Sequence, residues 1–263
     1  MNRAFSLVEL SIVLVVLGLL TGGVLAGKSL IRAGELRSVT SEYQRYVTAT
    51  HSFRDKYFML PGDISNATSF WGIAAGGTGN DSTCRSQAST DSRTCNGNGD
   101  GLAGPYIVMI GNNNWYFEMY RFWQHLANAG LIEGQYTGVS GIGSSYDASI
   151  RTNIPGSKLT SAGWSVTNFG NYTGGGGWFS ANYGHFFMFG IDNGNYYTNA
   201  AALKPEEAWN IDSKLDDGMP GQGRVIAILY DGCTLAASQT DNNAGYELTS
   251  NDVSCALAFT RAF

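Results

Sequence analysis

Two hydrophobic periods divide the chain. From Phe5 to Gly27 nearly every position is apolar or small, and Glu9 is the one ionisable side chain. At about 1.5 Å per residue this run makes a helix about 34 Å long, enough to cross a hydrocarbon core of about 30 Å. After Lys28 the pattern becomes amphipathic. Leu36, Val39, Tyr43, Tyr46, Val47, Thr50, Phe53 and Tyr57 recur at steps of three and four, with Arg37, Glu42, Arg45 and Arg54 on other faces. No proline intervenes before Pro61. The spacing predicts one helix from Phe5 to about Phe58, about 80 Å long, with an apolar first half and a second half that lies against a core.

The remainder reads as shorter elements. Residues 74–104 are mostly Gly, Ser, Thr, Asn and Asp, a loop that cannot drive core formation. Residues 113–130 carry a helical apolar face (Phe117, Tyr120, Trp123, Leu126, Ala127) that stops at Gly130. Residues 163–169 and 177–191 have strand character, and Pro205, Glu206 and Glu207 open a short helix over 204–215. A Gly-rich turn leads to the strand "RVIAILY" (224–230), and "CALAFT" (255–260) is expected to be an edge strand. The order α-α-β-β-α-β-β with tight turns predicts an α+β fold: an antiparallel β-sheet head laid on a long N-terminal α-helix.

Composition narrows the setting. Charged residues are only 14% and the net charge is −5, against about 25% charged in an average soluble protein. The 16 Lys and Arg are scattered, so no basic stripe points to nucleic acid. Four cysteines lie as two close pairs. Nearest-neighbour bridges, Cys84–Cys95 and Cys233–Cys255, are the expected choice among three connectivities. Their spacing lacks the short pairs of zinc sites. As disulfides each contributes about 3 kcal/mol and implies an oxidising compartment.

The stretch "RAFSLVELSIVLVVLGLL" resembles the class III leader of type IV pilins and type II secretion pseudopilins. The resemblance covers about a tenth of the chain, and "PEEAWNIDSKLDDGMPGQGRV" adds a looser likeness to prepilin-type heads. It implies a leader of residues 1–4, cleavage between Ala4 and Phe5, methylation of Phe5, a spine helix over 5–58 and an extracytoplasmic head over 59–263. The family pattern has Gly before the cut, where this chain has Ala4. The resemblance also explains the acid in the apolar run. Cleavage creates an α-amine at bilayer depth, where a lone carboxylate costs about 3 kcal/mol. In a filament of staggered helices, one subunit's amine can sit beside its neighbour's Glu9, so each charge relieves the other's desolvation. Gly18/Gly22 and Gly23/Gly27 form G-x-x-x-G pairs that let helices approach.

Candidate chemistry in the head is sparse. In "NGNGDG", Asn96, Asn98, Asp100 and Gly101 match the early positions of a calcium loop, but the twelfth position is Ile107 and only Asp100 is charged. A Gly-Asn turn is the first reading and Ca2+ the second. Asp212, Asp216 and Asp217 form another acid cluster, read first as a turn. His51, His125 and His185 lie on separate elements, and no HExxH, G-x-S-x-G, GxGxxG-helix or Walker pattern occurs. The expectation is therefore a non-enzymatic subunit of a type IV pilus or secretion pseudopilus. It would be anchored in a bacterial inner membrane with its head in the periplasm. Its partners would be a prepilin peptidase, other pilin or pseudopilin subunits and an assembly platform. The alternative is a membrane-tethered protein that binds carbohydrate or calcium and never polymerises.

Overall fold

The computed structural model describes residues 7–74, 78–80, 84, 87–89, 91–104, 117–140, 147–192, 194, 196–228 and 230–263. Helix α1 runs unbroken from Leu7 to Tyr57, through Gly22 and Gly23. Its last turn carries Arg54 and Lys56, which suit the negative end of the helix. It stops where Phe58 takes a left-handed conformation, φ 57°. Shorter elements follow: α2 (Thr68–Trp71), α3 (Phe117–Asn128), β1 (Ala162–Tyr172), β2 (Ala181–Ile191), α4 (Pro205–Leu215), β3 (Val225–Ile228), α5 (Tyr230–Cys233) and β4 (Ala256–Phe259).

The four strands form one antiparallel sheet in the order β1-β2-β4-β3. The fold is thus α+β, a long N-terminal helix on an antiparallel sheet. One expectation is corrected here. The "CALAFT" strand is interior, pairing with β2 through Phe187↔Phe259 and with β3 through Ile226↔Ala258. All four β4 residues are buried, and β3 forms the edge instead.

The register places Trp164, Val166, Phe187, Phe189 and Phe259 on one face. Helices α1 and α3 pack there. The Tyr43 ring stacks on Phe259 at 4.6 Å, Tyr46 meets Trp164 at 5.7 Å, and Trp123 meets Phe187 at 5.7 Å. The opposite face is covered as well: Phe169 packs on Phe186 at 4.9 Å and on Tyr197 at 6.0 Å. A sheet buried on both sides explains why β2 reads as the continuous run "FFMF" rather than as an alternation.

The buried stripe of α1 is Val39, Glu42, Tyr46, Ala49, Thr50 and Phe53, with Ser38 beside it. Glu42 was expected on another face. It is 6% exposed, because its Oε1 accepts the Lys158 backbone N–H at 2.9 Å and its Oε2 accepts the Trp164 indole N–H at 2.9 Å. A buried carboxylate is tolerated when donors replace its hydration.

Both disulfides are present in the expected pairing, Cys84–Cys95 and Cys233–Cys255. Cys233 and Cys255 join the main core. Cys84 and Cys95 belong to the 74–104 stretch, whose composition predicts a loop that drives no core formation. They are buried with Ala74 in a small cluster of their own, since residues 94–95 run under α3.

Candidate functional site

The N-terminal half of α1 carries apolar side chains that meet no core. Leu7, Leu10, Leu14, Leu19, Leu25 and Ile31 are all more than half exposed. From Leu7 to Gly27 the helix rises about 32 Å, and it is long and apolar enough to cross a membrane. Its hydroxyls are satisfied within the helix. Ser11 Oγ donates to the Val8 carbonyl at 2.8 Å, and Thr21 Oγ1 to the Leu17 carbonyl at 3.0 Å. Such back-bonding suits a segment without water. A methyl group added at Gly18, Gly22, Gly23 or Gly27 would meet nothing within 4 Å. Glu9 is exposed in the first turn of this segment. Ala4 and Phe5, the cleavage residues expected from the sequence, lie outside the described residues.

Just beyond the apolar half, α1 is clamped to the head. Arg32 donates from Nε to Glu207 Oε1 and from Nη2 to Glu207 Oε2, each at 2.6 Å. It also reaches the Ala202 carbonyl at 3.4 Å and Glu35 at 3.3 Å. Glu207 in turn accepts the Lys204 N–H at 3.0 Å, closing the N-terminus of α4. Burial pushes the Glu207 carboxyl up, and the Arg32 bonds and the Lys204 N–H more than offset it, so the net shift is downward. A two-pronged guanidinium–carboxylate pair fixes direction as well as distance. Sequence reading saw Glu207 only as a helix-start acid; no local pattern links it to Arg32 across 175 positions.

The first acid cluster has different partners from those the spacing suggested. The Asn96 amide oxygen accepts the Thr68 N–H at 2.8 Å and its Nδ2 donates to Asn80 at 2.8 Å, so Asn96 is engaged elsewhere. Asp100 instead joins Asp63 and Glu118, one oxygen of each lying within 4.8 Å of the others. Two N–H groups of this loop point at an anion: Asp100 and Gly101 donate to the two Asp63 oxygens at 3.0 Å. Asn98 N–H donates to Glu118 Oε1 at 3.0 Å, and Asn98 Nδ2 to Asp100 Oδ2 at 2.8 Å. A calcium loop presents oxygens inward. Here backbone donors wrap a carboxylate, and burial raises the Asp63 pKa above its ordinary value. Asp63 and Glu118 could not be found from the sequence, because neither falls within the "NGNGDG" spacing.

Asp212, Asp216 and Asp217 do come together. Asp212 accepts the Tyr246 hydroxyl at 2.9 Å and the Gly218 N–H at 3.1 Å, and burial pushes its pKa up to about 7. Asp216 accepts the Arg224 and Val225 N–H groups, and Asp217 the Met219 N–H. The cluster ties the end of α4 to the turn before β3.

The histidines stay apart. His51 is exposed. His125 accepts the Gly62 N–H at Nδ1, 2.9 Å, and faces Thr94 Oγ1 from Nε2 at 2.9 Å. His185 accepts the Ala103 N–H at 3.1 Å and stacks on Phe263 at 5.1 Å. Burial lowers the pKa of both His125 and His185. The inner nitrogens therefore serve backbone groups. No family model, no curated protein and no solved structure matches this chain.

Proposed function

We propose that this protein is a structural subunit of a type IV pilus or a type II secretion pseudopilus. A prepilin peptidase trims it before Phe5, and it is then drawn from the inner membrane into a filament by an assembly platform. One observation carries the reading: a single 51-residue helix whose first half exposes an apolar surface and whose second half is the spine of the head. A simple tether needs no rigid continuity between anchor and head. A filament does, because the head's position must follow the helix's axial register. The Arg32–Glu207 clamp at the junction supports that coupling. In this reading the segment 5–27 spans the membrane before assembly and lines the filament core afterwards. Glu9 accepts the Phe5 amine of the neighbouring subunit, which fixes the stagger.

The test has two parts. Mass spectrometry of protein from a host with the peptidase is expected to find Phe5 at the N-terminus. Glu9→Ala is expected to abolish incorporation into filaments while the head folds normally. An intact Met1 on strictly monomeric protein, or Glu9→Ala filaments at the wild-type level, overturns the proposal.

A further inference from the structure

A polar cleft lies on the flank of α1, beside the loops that precede and enter β1. It encloses about 640 Å³, within the range of about 300–1,000 Å³ that small-molecule sites occupy. Three cations line it: Arg45 from α1, and Arg151 and Lys158 from the segment before β1. The two guanidinium groups are each held by contacts of their own. Arg45 donates from Nη2 to the Tyr46 hydroxyl at 3.1 Å and lies over that ring at 5.0 Å. Arg151 donates to the Ser157 carbonyl at 3.4 Å and lies across Gly156, where an added Cβ would come within 3.1 Å of the Arg151 Cγ and Cζ. Lys158 is held through its backbone N–H on Glu42.

The charges do not cancel. Glu42 forms the floor, with both oxygens taken by Lys158 N–H and Trp164 Nε1. Glu133 is exposed at the rim. Both carboxylates act on Arg45. Among the described residues, neither Arg151 nor Lys158 makes an ion pair. The lining thus carries one net positive charge, flanked by the hydroxyls of Ser41, Thr160 and Ser161. Among the described residues, no aromatic ring lines it. Arg151 and Ser161 also adopt left-handed backbones, each with φ 66°, two of the four such non-glycine residues described. Strain of this kind persists where surrounding structure holds it, often at binding sites.

We infer that this cleft binds an acidic saccharide, with the sugar carboxylate between Arg151 and Lys158 and the ring hydroxyls on Glu133 and the Ser/Thr hydroxyls. The net charge matches one carboxylate, and the hydroxyls and the rim carboxylate match the polyol that bears it. A simple anion would leave those groups unused, and a peptide would find few apolar surfaces to bury.

The experiment is calorimetric titration of the full chain, dispersed as a monomer in nonionic detergent, so that its outcome is independent of filament assembly. The probes are trigalacturonate, an uncharged trisaccharide and triglutamate. Trigalacturonate is expected to bind at least about tenfold more tightly than either other probe. Arg151→Gln and Lys158→Gln should each weaken it by about tenfold, since each removes a charge-assisted hydrogen bond. Lys158 holds the fold through its main chain, so Lys158→Gln leaves that contact in place. Arg93→Gln, whose partner Asp91 lies outside the cleft, should bind as the wild type. Absence of trigalacturonate binding overturns the inference, as does equal binding of the uncharged sugar. Tighter binding of triglutamate reassigns the cleft to acidic peptides and also overturns it. Unchanged affinity in both cleft variants places the sugar elsewhere, with the same consequence.

Discussion

Acid should unlock the head at His125. This imidazole is fully buried in α3 and its Nδ1 accepts the Gly62 N–H, so the neutral ring carries its proton on Nε2 and donates it to Thr94 Oγ1. Thr94 then donates to Gln124 Oε1 at 2.7 Å, which also accepts from Arg121 Nη1 at 2.7 Å. A proton on Nδ1 would set two donors face to face. Burial, then the Arg121 charge, hold the His125 pKa down to about 3, against 6.5 for the unperturbed side chain. A histidine with a lowered folded-state pKa contributes stability that is complete above the unfolded value and is lost as pH falls toward the folded one. Each pH unit below 6.5 removes about 1.4 kcal/mol, so acidification to about pH 4 removes about 3 kcal/mol. That is a large share of the roughly 5–15 kcal/mol that holds a domain folded. The assay is urea unfolding of the full chain in detergent, read by tryptophan emission, because Trp123 and Trp164 are fully buried. Other groups titrate over the same range, so the quantity read is wild type minus His125→Asn, whose Oδ1 occupies the place of Nδ1 as acceptor for the Gly62 N–H. The wild type should lose about 3 kcal/mol more than the variant between about pH 6.5 and about pH 4. Parallel stability curves would refute the buried-neutral assignment.

Three further outcomes are expected. Asp212→Asn should remove a pH dependence of the opposite sign. The Asp212 pKa is raised to about 7, so its contribution is complete near pH 4 and fades as pH rises to about 7; the unfolding free energy of wild type minus variant should therefore fall as pH rises from about 4 to about 7, the His125 dependence being common to both proteins. Glu42→Ala leaves the Trp164 indole and the Lys158 N–H without an acceptor in a buried setting, and chemical denaturation should register a loss of about 2–4 kcal/mol. Gly97→Ala should destabilise the 94–101 loop, because its added Cβ would collide with the Gly62 carbonyl oxygen and the Asp63 backbone; faster amide exchange at Asp100 and Gly101 is the readout.

The long helix was legible from residue order alone, because both of its halves are periodic or uniform over many turns and no proline breaks them. The apolar half, the helix over 205–215, the main strands and the α+β class followed from equally local signals. So did the disulfide pairs, since close spacing favours short loops. What the sequence could not determine was which elements become neighbours. "CALAFT" has the length of an edge strand, and only its pairing with both β2 and β3 makes it interior. Glu42 has the polarity of a surface residue. It is buried because Trp164, 122 positions later, brings an indole N–H to it. Asp63 meets the "NGNGDG" backbone, and Arg32 meets Glu207, for the same reason. Side-chain period is set by bonds between near neighbours along the chain, whereas charge satisfaction depends on partners that only closure of the fold brings within 3 Å.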